Sequence, residues 1–406
     1  MKSSYKKLGQ YIRIVDERNK DLQYLPLMGL SVKKIFFPTI ANLVGTDMST
    51  YKIVYKNQFT YIADTSRRGD KIAIALNENF DKMLVSQAYT PFEIIDKNEL
   101  LPEYLMMWFL RPEFDRYARF KSHGSAREIF GWDEMCDTEL PIPTLEKQKE
   151  IVKEYHILVD RIALNNQLIV KLEETAQAIY KQWFVDFEFP DVNGRPYKSN
   201  GGKMIWCKKL EMEIPEGWKI DSLSTYAKYS GKRISISNLS PKKYISTENM
   251  LQNKKGIVVS EEIPVLSSAT KFVSKDILIS NIRPSLKKIW FADFEGGCSN
   301  DVLCIETINQ KHSYFIYNTL EQDSFFSYVM AGSKGTKMPR GDKQWIMDFK
   351  IAIPDVITLN KFSDFSERSM NLRKIAEYEN QKLEELKDLL LAKMTKIESG
   401  IETVEN

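Results

Sequence analysis

The 406-residue sequence has little of what a catalytic centre or a membrane anchor requires. It holds three histidines and four cysteines, and no two cysteines have the spacing of a zinc or redox motif. No apolar run approaches the roughly 18 residues that span a bilayer, and no signal peptide is evident. A glycine-rich nucleotide loop is also missing. We therefore expect a reduced, cytoplasmic protein without a membrane segment, a metal site or catalytic residues.

The composition instead indicates folded domains with an uneven charge. Hydrophobic residues make up 43% of the chain and aromatic residues 12%, which excludes a disordered chain. The length predicts two or three domains. The net charge is +3, but residues 190–354 carry 24 Lys and Arg against 17 Asp and Glu, whereas residues 1–145 carry 20 against 19. This excess indicates a polyanionic partner for residues 190–354 and only weakly for residues 1–145.

The chain contains an internal repeat. Shifting the numbering by 211 aligns Glu-Leu-Pro-Ile-Pro at residues 139–143 with Lys-Ile-Ala-Ile-Pro at residues 350–354. The same shift aligns Gly124-Ser125 with Gly335-Thr336. Further upstream the shift grows to 215 and then to 219, which indicates loops of different length. We therefore expect two diverged copies of one module.

Each copy ends in a long segment of helical periodicity that neither Pro nor Gly interrupts. The 4-3 spacing over residues 151–183 predicts a coiled-coil seam, in which Asn165 is a polar member that fixes the register. The second copy carries a less regular stripe. The predicted seam residues are Ile151, Tyr155, Leu158, Ile162, Asn165, Ile169, Leu172, Ala176, Ile179 and Trp183 in the first copy, and Leu372, Leu383, Leu386, Leu390, Met394 and Ile397 in the second.

Helices of roughly 40 residues extend about 60 Å and must bury their apolar stripes. Each helix could pack on its own globular domain, but the likeness of the two seams favours pairing with each other. Symmetric pairing of two repeats is antiparallel about a pseudo-two-fold axis and would place the globular modules at the ends of a rod, which would act as a ruler. We predict an α+β fold in which two α/β globular domains are joined by two long antiparallel helices that form a coiled coil. The predicted boundaries are 1–143, 144–189, 190–354 and 355–406.

The segment after the first helix carries a distinctive series of motifs. Residues 180–190 are Tyr-Lys-Gln-Trp-Phe-Val-Asp-Phe-Glu-Phe-Pro, residues 193–199 are Asn-Gly-Arg-Pro-Tyr-Lys-Ser, and residues 214–218 are Ile-Pro-Glu-Gly-Trp. Together with Ile142-Pro143 and Gln148, they resemble the conserved region and linker of type I restriction–modification specificity subunits. The order of parts is similar over the whole chain. In the second copy, Asp-Val-Ile-Thr-Leu-Asn at residues 355–360 replaces the expected glutamine-containing block.

The resemblance implies a non-catalytic subunit with two target-recognition domains, each of which reads one half of a bipartite double-stranded DNA sequence. It also implies assembly with two modification subunits, which bind S-adenosylmethionine and methylate adenine. Restriction subunits that use ATP and Mg would add DNA cleavage. No cofactor is expected on the chain itself.

Basic clusters at equivalent places in the two copies are the first candidate DNA contacts. Both lie next to apolar strand-like runs, where a hairpin tip would present them to phosphates. Two neighbouring cations in a turn are often only a solvated surface, but their recurrence in both copies favours contact with DNA. The candidates are Arg67, Arg68 and Lys71 in the first copy and Arg283, Lys287 and Lys288 in the second.

Glycine-rich loops at the repeat match are the second pair of candidates. Residues 123–127 match part of residues 332–340, and glycine allows a backbone to approach phosphate closely. Trp132 and Trp345 are expected in domain cores, because recognition of a duplex needs no stacking platform. The candidates in the loops are Ser125 and Arg127 in the first copy and Lys334, Lys337 and Arg340 in the second.

Two other functions stay open from the sequence. A single-chain DNA modification enzyme with an unrecognised catalytic fold would bind S-adenosylmethionine on its own. A coiled-coil scaffold whose ends bind proteins would show no salt-dependent affinity for DNA.

Overall fold

The computed structural model describes residues 5–39, 45–65, 69, 71–124 and 128–396. The chain divides into two units. Unit 1 comprises residues 1–166 and 377–406, and unit 2 comprises residues 167–376. Each unit therefore combines one globular region with parts of both long helices.

Unit 1 is built from short strands followed by helices. Its strands are β1 (Tyr5–Lys7), β2 (Ile12–Ile14), β3 (Met28–Leu30), β4 (Phe36–Pro38), β5 (Lys52–Tyr55), β6 (Phe59–Ile62), β7 (Ala73–Leu76), β8 (Lys82–Val85), β9 (Thr90–Ile94) and β10 (Glu139–Pro141). Its helices are α1 (Pro102–Leu110), α2 (Pro112–Lys121), α3 (Trp132–Cys136) and the first part of α4 (Leu145–Tyr180). Proline at the first position of α1 and of α2 presets a helical φ where no backbone hydrogen bond is lost.

An antiparallel sheet of order β2-β9-β6-β7 forms the centre of unit 1. Every residue of β6 and β7 is buried, since apolar and small side chains occupy both faces. Phe59, Phe92 and Phe109 meet in the core with ring centroids 4.9 to 6.3 Å apart. Leu391 and Met394 belong to the same core, so this domain is completed by residues from the C-terminal part of the chain.

Unit 2 repeats this order of elements. The second part of α4 lies in unit 2 and is followed by a turn of π-helix, Lys181–Val185. Its strands are β11 (Met204–Cys207), β12 (Met212–Pro215), β13 (Lys219–Ser222), β14 (Ala227–Tyr229), β15 (Arg233–Ser235), β16 (Tyr244–Ile245), β17 (Ser268–Phe272), β18 (Ile277–Ser280), β19 (Ile289–Phe291), β20 (Gly296–Cys298), β21 (Val302–Thr307) and β22 (Lys350–Ile353). Its helices are α5 (Ser313–Leu320), α6 (Asp323–Ala331), α7 (Lys343–Met347) and the first part of α8 (Val356–Lys393).

Two sheets of unit 2 correspond strand by strand to two sheets of unit 1. The order β14-β21-β18-β19 in unit 2 matches β2-β9-β6-β7 in unit 1, and the pair β13-β22 matches β1-β10. The repeat shift of 211 residues also relates the helices: added to the first residues of α1, α2 and α3, it gives the first residues of α5, α6 and α7. The predicted internal repeat and the α+β fold class are therefore confirmed.

The seam predicted for α4 is confirmed residue by residue. All ten predicted positions are buried or half-buried, whereas most of the residues between them are exposed. Within unit 1, α4 and α8 run antiparallel, because Arg161 pairs with Glu379 while Ile151 lies in a cluster with Met394. Unit 2 shows the same direction, since Glu173 pairs with Arg373 and Trp183 packs against Phe362.

The seam of α8 differs from its predicted stripe. The buried and half-buried positions follow a continuous 3-4 spacing, but several of their side chains are polar. Leu383, Leu390 and Met394 lie in the seam as predicted, whereas the prediction was wrong for Leu372 and Leu386, which are about half exposed. Ile397 lies outside the described residues. The observed seam consists of Leu359, Phe362, Ser366, Ser369, Arg373, Ala376, Asn380, Leu383, Lys387, Leu390 and Met394.

Asn165 is 4% exposed and forms a polar layer in the seam of unit 1. Its amide donates to Glu379 over 3.0 Å, and Arg161 donates to both oxygens of the same carboxylate at 2.9 and 3.0 Å. These donors lower the pKa of Glu379, Arg161 contributing most and Asn165 next. Because a buried amide is satisfied only when its partner lies opposite, this layer favours one register of the two helices.

We predict that two alanine substitutions in α8 distinguish the observed seam from the stripe that the sequence predicted. Phe362→Ala removes a fully buried ring that packs against Tyr180, Trp183 and Phe184, and should lower the free energy of unfolding by about 3–5 kcal/mol. Leu372→Ala should change it by less than about 0.5 kcal/mol. Urea denaturation of the isolated chain measures both, and equal losses would contradict the seam described here.

Candidate nucleic-acid interface

The first predicted cluster follows β6. This strand pairs antiparallel with β7, so residues 63–72 form the connection of a hairpin, as predicted. Lys71 is exposed in this connection and forms no ion pair among the described residues. Arg67 and Arg68 lie outside the described residues.

A buried ion pair holds the end of this connection. The Lys34 ammonium lies 3.0 Å from Asp115 and also donates to the carbonyl oxygen of Phe109. Burial lowers the pKa of Lys34, and Asp115 opposes that shift. The same carboxylate accepts the backbone N–H of Ile72 over 3.2 Å, directly after Lys71. Neither Lys34 nor Asp115 could be predicted from the sequence, because a single lysine in a turn carries no signal of burial.

The second predicted cluster lies in the equivalent hairpin, between β18 and β19. Arg283 and Lys287 flank a 3-10 turn and have positive φ angles of 49° and 50°. Side chains rarely adopt this left-handed backbone, so surrounding contacts must hold it. Arg283 is exposed and, within the described part of the chain, forms no ion pair.

A neighbouring loop supports this turn. The backbone N–H of Lys254 donates to the carbonyl oxygen of Lys287 over 2.9 Å, and Asn253 donates similarly to Leu286. Asp323, at the start of α6, binds the ammonium groups of Lys254 at 2.8 Å and Lys287 at 3.0 Å. Hydrogen bonds from these two lysines lower the pKa of Asp323.

Lys254 and Lys255 are therefore further cations beside the predicted cluster, and the sequence analysis missed them. The available signal was Asn-Lys-Lys-Gly at residues 253–256, which combines a turn composition with two cations. Lys288, in contrast, is tied inward, because its ammonium donates to the carbonyl oxygen of Thr247 over 2.6 Å. Burial lowers the pKa of Lys288.

The glycine-rich loops are closed by equivalent backbone bridges in both units. An antiparallel bridge joins His123 to Ile129, and an equivalent bridge at the matching positions of the second copy joins Lys334 to Arg340. Gly124 and Gly335 both have positive φ, at 134° and 95°, where an L side chain would be strained. Ser125 and Arg127 lie outside the described residues.

In each unit the loop is attached to the hairpin. Asp64 bridges to Ile129 in unit 1, and Ile282 bridges to Arg340 in unit 2. The backbone N–H of Arg283 donates to the carbonyl oxygen of Pro339 over 2.8 Å. The structure thus brings the two predicted clusters of unit 2 together.

The cations of this loop differ in their partners. Lys334 pairs with Asp342 at 2.7 Å, and Arg340 pairs with Asp301 at 2.9 Å. Both are surface pairs, which contribute little in water and can exchange a carboxylate for a phosphate. Lys337 is exposed and has no ion pair among the residues that the structure describes.

The two tryptophans predicted in cores differ. Trp132 is half-buried and packs against Phe92 with a centroid distance of 5.6 Å. The prediction was wrong for Trp345, which is 41% exposed. Its ring stacks on Tyr328 at 4.9 Å, and its indole N–H donates to the Tyr328 carbonyl oxygen over 3.0 Å. Trp345 therefore covers the end of α6 instead of filling the core.

No three His, Cys, Asp or Glu side chains come together as a metal site in the described ranges. Burial raises the pKa of Cys136, and it raises the pKa of Cys298 to about 12, so neither thiol is activated as a nucleophile. Among the helices of the described residues, none combines the length and apolarity needed to cross a membrane.

The chain is similar in sequence to known proteins. Residues 9–174 match the family model of the type I restriction modification DNA specificity domain. The chain is similar to the specificity subunit of the type I restriction enzyme MjaIX from Methanocaldococcus jannaschii, with 25% identity over 74% of this chain and 70% of that protein. It is also similar to the specificity subunit of the HindI enzyme from Haemophilus influenzae, with 29% identity over 37% of this chain and 32% of that protein.

The fold has a solved counterpart. The crystal structure of the type I restriction–modification S subunit from M. genitalium superposes with a TM-score of 0.55 at 14% identity, covering 96% of this chain and 95% of that one. The chain is therefore a non-catalytic protein of DNA sequence recognition. Within this class it is similar to the specificity subunits of type I restriction–modification systems, as the sequence motifs predicted.

Proposed function

We propose that this chain reads a bipartite DNA target, one half with each unit, and that the lengths of α4 and α8 determine the spacer between the half-sites. The observation that carries this proposal is the paired hairpin and glycine-rich loop, which recur with the same backbone bridges in both units. A structural element that is present twice in one chain is consistent with a target that has two separate halves.

The cations on these elements supply affinity for the DNA backbone. Lys71 in unit 1, and Arg283 and Lys337 in unit 2, are exposed and have no ion pair among the described residues, so a phosphate can bind them without competition. Lys334 and Arg340 are held by carboxylates and would exchange them for phosphates. Arg67, Arg68, Ser125 and Arg127 are proposed for unit 1 from the equivalence of the loops alone.

The outer faces of α4 and α8 are proposed to bind modification subunits. In unit 1, Ile157 and Leu164 of α4 are exposed, and in unit 2 so are Leu372 and Ile375 of α8. Leu164 and Ile375 occupy equivalent positions in the repeat and are 58% and 62% exposed. Exposed apolar residues at the same repeat position of both helices support two copies of one docking site.

Two docking sites imply two modification subunits for each specificity subunit. We propose that these partners bind S-adenosylmethionine and methylate adenine, and that restriction subunits use ATP and Mg for cleavage. The chain itself contributes sequence recognition and the scaffold on which the partners assemble.

We predict that the two units read independently. Replacing residues 1–140 with the same region of a relative should change one half of the methylated target and leave the other half and the spacer unchanged, because the recognition elements of unit 2 are untouched. Sequencing of methylated adenines in cells that express the hybrid complex measures the target. A change in both halves would contradict one reader per unit.

We predict that Arg283→Ala and Lys337→Ala each weaken DNA binding by the assembled complex about tenfold, and lower the slope of log affinity against log salt by about 1, since each removes one phosphate contact. Fluorescence anisotropy over a salt series measures both quantities. Lys337→Arg keeps the charge and should bind nearly as the unchanged chain does. An unchanged affinity and slope in both alanine variants would remove this surface from the interface.

We predict that Leu164→Glu and Ile375→Glu each remove one modification subunit, and that the double variant removes both, because a buried unpaired carboxylate disfavours an apolar contact. Native mass spectrometry of the assembled complex gives the stoichiometry, with expected values of one partner for each single variant and none for the double. Leu164→Met and Ile375→Met keep the apolar volume and should keep both partners. Full occupancy in the double variant would place the docking sites elsewhere.

A further inference from the structure

The glycine-rich loop of unit 2 presents an apolar side chain among cations. Met338 is 47% exposed, although methionine is normally a core residue. Exposed Lys337 precedes it, and Pro339 and exposed Arg340 follow. Arg283 joins this group through its backbone hydrogen bond to Pro339. The tip is therefore an apolar Met-Pro step surrounded by three positive charges.

The backbone under this tip is held on both sides. Lys334 and Arg340 exchange two backbone hydrogen bonds of 2.9 Å, which close the loop. Arg340 also pairs with Asp301 at 2.9 Å, and the N–H of the next residue, Gly341, donates to the carbonyl oxygen of Asn281 over 3.2 Å. A loop that is held in this way keeps its conformation when one of its side chains contacts a partner.

Packing within unit 2 does not account for the position of Met338, since nearly half of its surface faces solvent. The surrounding cations would attract a polyanion to this tip, but contact with phosphates would not stabilise an apolar side chain. In a duplex, the apolar surfaces that such a side chain can cover are the stacked faces of the bases and the thymine methyl group.

On the basis of the proposed function, we propose that Met338, backed by Pro339, inserts between two stacked base pairs of the half-site bound by unit 2 and kinks the duplex there. Methionine and proline are among the residues that wedge into base steps, where the cost of unstacking is offset by closer contact of the flanking cations with the backbone. Lys337, Arg340 and Arg283 would be these cations.

The wedge is a property of unit 2 alone. The repeat places Arg127 and Glu128 opposite Met338 and Pro339, so unit 1 has charged residues where unit 2 has apolar ones. Because pyrimidine–purine steps unstack more easily than others, unit 2 would prefer such a step without a hydrogen bond to its bases. The two half-sites would then be read by different physical means.

The test uses the assembled complex and a duplex with its target sequence, as defined from methylated adenines. 2-Aminopurine is placed at successive positions of the half-site read by unit 2, away from the methylated adenine, because flipping of that base would give its own signal. A donor and an acceptor dye at the duplex ends report bending. Fluorescence is compared at saturating protein for the unchanged chain, Met338→Ala, Met338→Leu and Met338→Gln.

We expect the unchanged chain to increase 2-aminopurine fluorescence at one step and to shorten the distance between the dyes. Met338→Ala should lose both effects and bind about tenfold more weakly. Met338→Leu should retain them, because it keeps the apolar volume, whereas Met338→Gln should lose them despite its similar length. Lys337→Ala should weaken binding and retain both effects at saturation.

Equal fluorescence and bending in the unchanged chain and in Met338→Ala would overturn the wedge. Loss of preference for a thymine-containing pair, without a change in bending, would overturn it in favour of a contact with the thymine methyl group. Neither result would contradict the proposed function. That function is contradicted separately if Arg283→Ala and Lys337→Ala leave the DNA affinity and its salt dependence unchanged.

Discussion

The two long amphipathic helices, α4 and α8, must bury the seams along their length. An isolated helix of this kind gains little stability in water, so α4 and α8 need partners along their length. In unit 1, the end of α8 supplies Leu391 and Met394 to the core of the domain that precedes α4. In unit 2, Tyr180 of α4 and Phe184 of the following π-helical turn enter the core of the domain that precedes α8. Each recognition domain is therefore stabilised by a helix that belongs, in sequence, to the other copy.

The two seams achieve this with different chemistry. The seam of α4 is apolar except for Asn165, whereas α8 contributes Ser366, Ser369, Arg373 and Asn380 to its own. Arg373 pairs with Glu173, and the side-chain amide of Asn380 donates to Asn166, whereas Ser366 Oγ and Asn380 Oδ1 are buried without a hydrogen-bond partner among the described residues. A polar seam is costly unless each group meets its partner, so it specifies register at the expense of stability. Leucines that lie outside the seam, such as Leu372, form part of the exposed face of α8.

This difference explains what the sequence could predict. Periodicity detects apolar residues, so the whole seam of α4 was predicted correctly, while in α8 it selected Leu372 and Leu386 from the exposed face. The internal repeat located the hairpins and glycine-rich loops, because their turn residues are constrained by backbone geometry. The ion pairs of Asp323 with Lys254 and of Asp115 with Lys34 could not be predicted, since they join residues whose proximity only the folded chain determines.

The two glycine-rich loops show how one scaffold can carry different side chains. A backbone bridge closes each loop, between His123 and Ile129 in unit 1 and between Lys334 and Arg340 in unit 2, and each loop contains a glycine with positive φ. Because backbone atoms form the bridges, they do not depend on the intervening side chains. Residues 125–128 are Ser-Ala-Arg-Glu, whereas residues 336–339 are Thr-Lys-Met-Pro. Under the proposed function, base recognition would depend on the side chains that differ between the loops, while the shape of the loop depends on the groups that both loops keep. Sequence specificity would then change at one loop without loss of the fold, provided that the glycine and the bridge to the hairpin remain.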